Sequence, residues 1–135
     1  MSSASYLIDT DWVIEHFKQS GPVTQRLSEL RESGLALSVI SLAELWEGVF
    51  FSKDPKRSEA VLEEFLSGVA VLGIDGEICK RFGQLRGLLR KQGKPVGDFD
   101  LLIAASALRH NLTLLTNNRR HFERIEGLRL ESLAS

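Results

Sequence analysis

A chain of 135 residues with 43% apolar side chains can bury one core but is too short for two ordinary domains, so residues 1–135 are expected to form a single domain. Its net charge of −1 hides an uneven distribution, −7 over residues 1–79 and +6 over residues 80–135. The lone Cys79 excludes an internal disulfide and is read as a buried, inert thiol of a reduced protein. No apolar run approaches the roughly 18 residues of a membrane span, and Met1 to Ser5 lack the basic start of an export signal, so the expected location is the cytoplasm, with no membrane partner.

Tyr6 to Ile8 reads as a short buried strand, after which Asp9-Thr10-Asp11 can cap a helix carrying Trp12, Val13 and Phe17. Gly21-Pro22 ends that helix. A second helix is predicted from about Val23 to Ser33, closed by Gly34, and Leu35 to Ile40 forms the second apolar strand. Ser41 to Phe51 and Lys56 to Leu66 have apolar residues at helical spacing and form a helical hairpin. Val69 to Ile74 is a third strand, and Asp75 caps a long helix with Ile78, Phe82, Leu85 and Leu89 on one face and bases on the other. Beyond the Gly93 to Gly97 loop come a buried helix from Asp98 to His110, a strand at Leu112 to Leu115, a short helix from Asn118 to Glu123 and a last strand at Leu128 to Leu130. Short apolar strands alternating with helices argue for an α/β fold with a mostly parallel sheet of four to five strands, covered on both faces.

Asp9, Glu44, Asp98 and Asp100 stand where strands end or helices begin. In open parallel sheets, sites form beyond the carboxyl ends of the strands, so one edge can collect these acids together with the Thr116-Asn117-Asn118 turn. Carboxylates within about 4–6 Å of each other raise one another's pKa unless a cation neutralises them. Oxygen-only donors suit Mg²⁺ or Mn²⁺, whereas His16, His110 and His121 are far apart in sequence and have no zinc-like spacing. Each acid also has a purely structural reading. Asp9 and Asp98 suit helix caps, Asp100 suits a first helical turn, and Ser41-Leu42-Ala43-Glu44 matches a capping box with Glu44 reaching back to the Ser41 amide. Spacing leaves both readings open.

Four blocks occur in the order found in PIN domains: Tyr6-Leu-Ile-Asp9-Thr10-Asp11, then Ser38-Val-Ile-Ser41-Leu-Ala-Glu44-Leu-Trp-Glu-Gly48, then Asp98-Phe-Asp100-Leu-Leu-Ile-Ala-Ala, then Leu114-Leu-Thr116-Asn117-Asn118-Arg-Arg-His-Phe122. The chain resembles most closely the VapC-type toxins of bacterial VapBC toxin-antitoxin modules, along essentially its whole length. The resemblance implies a three-layer α/β/α sandwich and a Mg²⁺- or Mn²⁺-dependent endoribonuclease that hydrolyses RNA phosphodiesters, homodimerises and is inhibited by a cognate VapB-like antitoxin. It also implies Asp9, Glu44 and Asp100 as catalytic acids and metal ligands, with Asn118 where many relatives carry a fourth acid. Asp98 is a further candidate ligand, and Thr10 and Thr116 would orient ligands or water.

Six bases and no acid occur from Lys80 to Lys94, and Arg119, Arg120 and Arg124 follow the Asn118 turn. Such a run is either a solvated helix face or a track for a polyanion; the resemblance favours RNA contact by Arg86, Arg90, Lys94 and Arg119. Trp12, Phe17, Trp46, Phe50 and Phe51 are expected mostly in the core, with any surplus forming a groove for a partner helix. The alternatives are a PIN nuclease of RNA maturation without an antitoxin, and a noncatalytic module that binds RNA or a partner and whose acids only cap helices.

Overall fold

Five short parallel strands, mostly apolar, form the middle layer of a computed structural model that describes residues 4–19 and 21–133. In chain order the elements are β1 (Tyr6–Ile8), α1 (Thr10–Phe17), α2 (Gly21–Leu30), a 3₁₀ turn (Arg31–Ser33), β2 (Leu35–Ser38), α3 (Val39–Phe50), α4 (Pro55–Leu66), β3 (Ala70–Leu72), α5 (Gly76–Lys91), α6 (Asp98–Arg109), β4 (Thr113–Leu115), α7 (Arg119–Phe122) and β5 (Leu130–Glu131). The reading of Met1 to Ser3 lies outside the described residues.

The sheet order is β3-β2-β1-β4-β5, with every pair parallel. From β1 the chain moves outward through β2 to β3, then returns to the other side of β1 for β4 and β5. The direction of winding therefore reverses between β1 and β4, and a crevice opens at the carboxyl ends of those two strands.

Period-two alternation divides the strand side chains between two cores. Ile8, Leu35, Leu37 and Leu115 face α1 to α4 and pack with Trp12, Val13, Leu27, Leu45 and Leu62. Leu7, Ala36 and Leu114 face the opposite way, against Leu89, Leu101, Ile103, Ala104 and Phe122 of α5 to α7. Helices therefore cover both faces, which is the expected α/β/α sandwich. At its entry to β2 the chain turns at Gly34, whose φ of 91° favours glycine, and the Gly34 carbonyl accepts from the Ser5 and Tyr6 amides at the start of β1.

Several expectations change. Cys79 is exposed rather than buried: it follows the fully buried Ile78 on α5, and one helical step of about 100° turns it outward. Phe50 and Phe51 are 64% and 87% exposed and lie outside the core, whereas Trp12 is fully buried and Phe17 and Trp46 are partly so. β2 stops at Ser38, because the Ser38 hydroxyl accepts from the Ile40 amide and starts α3 there. Among the described residues, no helix is long and apolar enough to cross a membrane.

Candidate metal centre

Asp9 follows directly on β1, in extended backbone (φ −71°, ψ 155°), and its amide donates to the Leu115 carbonyl at the end of β4 (2.9 Å). This puts its side chain in the crevice where the winding reverses, and only 4% of the residue is exposed. One carboxylate oxygen accepts from the Thr10 amide (2.9 Å), the other from the Thr116 hydroxyl (2.7 Å). The Thr116 hydroxyl in turn accepts from the Asn118 amide (3.0 Å), so the loop after β4 is folded around Asp9.

Glu44 reaches the same place from α3, but without a capping box. With Ser38 as the cap, Ser41 lies within the helix, buried, and Glu44 accepts from the Thr10 hydroxyl (2.7 Å), which also lies 2.9 Å from the Ser41 hydroxyl. Thr10 thus links the start of α1 to α3, and Glu44 does not make the capping box that its spacing from Ser41 allows. Asp100, in the first turn of α6, brings Oδ2 to 2.8 Å from His121 Nδ1, and the Asn118 side-chain nitrogen, Nδ2, lies 2.9 Å from that same ring nitrogen. Asp98 is directed elsewhere. Gly97, not Asp98, occupies the cap position of α6, and the half-exposed Asp98 carboxylate pairs with Arg86 on α5 (2.8 Å).

The electrostatics single out Asp9 and Asp11. Burial, followed by repulsion from Asp11 and a smaller push from Asp100, raises the Asp9 pKa to about 7, against the opposing hydrogen bonds from Thr116 and Thr10. Burial also raises Asp11; one of its oxygens accepts from the Asn117 amide (3.0 Å), and the other, Oδ1, is buried with no hydrogen-bond partner. A buried orphan oxygen beside a second buried carboxylate is costly unless positive charge is supplied. The surrounding donors are carboxylate, hydroxyl and amide groups, which suit a hard divalent ion. Among the described residues no three His, Cys, Asp or Glu side chains are grouped closely enough to hold a metal ion; Thr10, Ser41 and Thr116 add hydroxyls to the acids' network.

The PIN domain family model matches residues 6–128. This chain belongs to the PIN-domain family. The PIN domain is 37% identical over 126 residues to the tRNA(fMet)-specific endonuclease VapC of Shigella flexneri, covering 93% of this chain and 96% of the relative. It is 38% identical over 129 residues to ribonuclease VapC2 of Haemophilus influenzae, covering 94% and 96%. Among solved structures, VapBC2 from Rickettsia felis bound to a promoter DNA fragment superposes with a TM-score of 0.90 at 34% identity, covering 96% of this PIN domain and 98% of that chain.

Sequence reasoning placed Asp9, Glu44, Asp100, Asn118, Thr10 and Thr116 on this edge of the PIN domain, and all six lie on one network. The sequence suggests Asp11 only as a cap and gives His121 no ligand role. Both had a legible signal: Asp11 shares a helical first turn with Thr10, and His121 is one helical turn beyond Asn118. Asn117 was also missed as an anchor, its Oδ1 accepting from Trp12 Nε1 (3.0 Å) and the Leu133 amide (2.8 Å). Arg90 and Lys94 are exposed, Arg86 is tied to Asp98, and Arg119 donates to Ser132 Oγ (3.2 Å).

Proposed function

We propose that this single-domain protein is a divalent-metal-dependent endoribonuclease, acting in the cytoplasm as the toxin of a toxin-antitoxin pair. The observation that carries this reading is the buried Asp9 at the β1/β4 reversal, pushed to about 7 with Asp11 and Asp100 acting on it. Asp9, Glu44 and Asp100 would hold Mg²⁺ or Mn²⁺, with Asn118 as a neutral donor. Bound there, the cation would supply charge neutralisation at the phosphate and a more acidic water. Thr10 fixes the Glu44 carboxylate and Thr116 fixes that of Asp9, so neither has to be ordered when substrate arrives. No protein nucleophile is needed. Arg90, Lys94 and Arg119 attract the RNA backbone, and Arg86 joins them when released from Asp98.

The partner reading rests on relatives and on this surface together. Solved neighbours include a VapBC complex from Rickettsia felis and a DNA-bound VapBC from Salmonella typhimurium. Here a groove of about 970 Å³ runs between α1, α2 and α4, lined in part by Phe17, Leu27, Val61 and Phe65. Exposed Phe50 and Phe51 add apolar surface. An antitoxin helix and a second copy of the chain are the occupants we assign to these surfaces.

The test is cleavage of total RNA by purified protein in Mg²⁺, Mn²⁺ and EDTA, with Asp9→Asn alongside. The expected outcome is metal-dependent cleavage that EDTA and Asp9→Asn both abolish while circular dichroism stays native. Equal cleavage by wild type and variant would overturn the reading.

A further inference from the structure

Asp9 is held by Thr116, and Thr116 is held in turn by residues 131–133. The Thr116 amide donates to the Glu131 carbonyl (3.0 Å), and the Thr116 carbonyl accepts from the Ser132 hydroxyl. Ser132 Oγ also accepts from Arg119 at the start of α7 (3.2 Å), so this one hydroxyl joins both ends of the loop that leaves β4. One residue further on, the Leu133 amide donates to Asn117 Oδ1 (2.8 Å), which accepts as well from Nε1 of the buried Trp12 (3.0 Å). The Asn117 amide donates to Asp11 (3.0 Å). The loop is therefore gripped from α1 on one side and from residues 131–133 on the other.

Sheet pairing does not account for this grip. β4 and β5 pair only at Leu114 with Leu130 and at Leu115 with Glu131. A regular ladder is continued by backbone groups alone, whereas here two side-chain oxygens extend the contact, Ser132 Oγ on the Thr116 carbonyl and Asn117 Oδ1 on the Leu133 amide. Such bonds let the loop leave strand geometry while keeping it fixed, as it must be to aim the Thr116 hydroxyl at Asp9 and bring Asn118 beside His121. Just before these contacts the segment is anchored to α2, where Arg26 donates to both carboxylate oxygens of Glu131 (2.6 and 3.1 Å).

Building on the nuclease reading above, we infer that residues 131–133 clasp the active-site loop, and that Ser132 and Asn117 are positioning residues for catalysis. Both act through Thr116, by fixing the backbone from which its hydroxyl reaches Asp9 (2.7 Å). A loop without the clasp would have to be ordered each time a cation and RNA bind, an entropic cost that falls on affinity and on rate.

The test compares wild type with Ser132→Ala, Ser132→Thr and Asn117→Ala by amide hydrogen exchange across the loop in EDTA, by calorimetric Mn²⁺ affinity and by kcat for RNA cleavage. Both alanine variants should exchange about tenfold faster in the loop, bind Mn²⁺ about tenfold more weakly and lose about tenfold in kcat. Ser132→Thr, which keeps the hydroxyl, should return all three to within about threefold of wild type. A lower melting temperature in the alanine variants, with loop exchange, Mn²⁺ affinity and kcat all unchanged, would reduce the segment to a structural role and overturn the inference. Asn117→Ala carries the test by itself should Ser132→Ala fail to fold. If wild type neither binds Mn²⁺ nor cleaves RNA, the nuclease reading fails; wild-type loop exchange in both alanine variants would separately remove the clasp.

Discussion

Asp9 carries a titration that should be visible in stability as well as in catalysis. Its ordinary pKa of 3.8 is raised to about 7 by burial and by Asp11. Between those values the folded protein keeps a proton that the unfolded chain has lost, so metal-free stability should fall as pH rises from about 4 to 7 and then level off. The cost is fully present above pH 7. Asp9→Asn should therefore be more stable than wild type at pH 8 in EDTA, by about 1–3 kcal/mol, and match it near pH 4. A full three-unit shift corresponds to about 4 kcal/mol, part of which is offset by weakening the Thr116 bond. Thermal melts across pH check both sign and window. Thr10 makes a second prediction: Thr10→Val removes the hydroxyl that holds Glu44, so kcat should drop by roughly tenfold or more with little change in melting temperature, whereas Thr10→Ser should retain most activity.

At the scale of elements, α5 and α6 are joined by the Arg86 to Asp98 pair at their exposed rim. A solvent-exposed pair of this kind contributes little to stability, but it occupies a base that the RNA track would otherwise use. Asp98→Ala should leave the fold unchanged and tighten RNA binding, while Arg90→Ala and Lys94→Ala should each weaken it and reduce the salt dependence of log Kd by about one unit of slope. Filter binding of a catalytically silent Asp9→Asn background at several salt concentrations separates these outcomes. The same region shows the limit of helical periodicity as a guide. It identified Ile78 and Leu89 as inward-facing on α5, but it did not show that Cys79 lies outside the apolar stripe, because the stripe's width depends on what packs against it. On α3 and its end, Phe50 and Phe51 continue the apolar run past the point where the core closes, leaving both rings exposed.

Across the whole molecule, the ion that the acidic crevice calls for should couple to folding. A cation that binds only the folded state at ten times its Kd stabilises by about 1.4 kcal/mol, so Mn²⁺ should raise the melting temperature by several degrees, EDTA should reverse the shift, and Asp9→Asn should eliminate it. Differential scanning fluorimetry with Ca²⁺ and Mg²⁺ as comparison ions measures this directly. A saturable shift in wild type that Asp9→Asn retains would place the ion elsewhere.

Chain order, apolar runs and turn residues determined by themselves that this is a parallel α/β fold, because a strand buried on both faces must be uniformly apolar and needs a helical crossover to reach its parallel neighbour. They also placed Asp9 and Thr116 at strand ends, since the end of an apolar run is a local property. The tertiary structure decided everything that depends on distance between elements. The Ser41 to Glu44 spacing fits a capping box, and only the meeting of α1 with α3 turned Glu44 toward Thr10. Asp98 and Asp100 are two residues apart, and only the packing of α6 against α5 and α7 sent one to Arg86 and the other to His121. Side-chain partners more than one helical turn apart in sequence are set by the sheet order, and the sheet order brings together residues that nothing local connects.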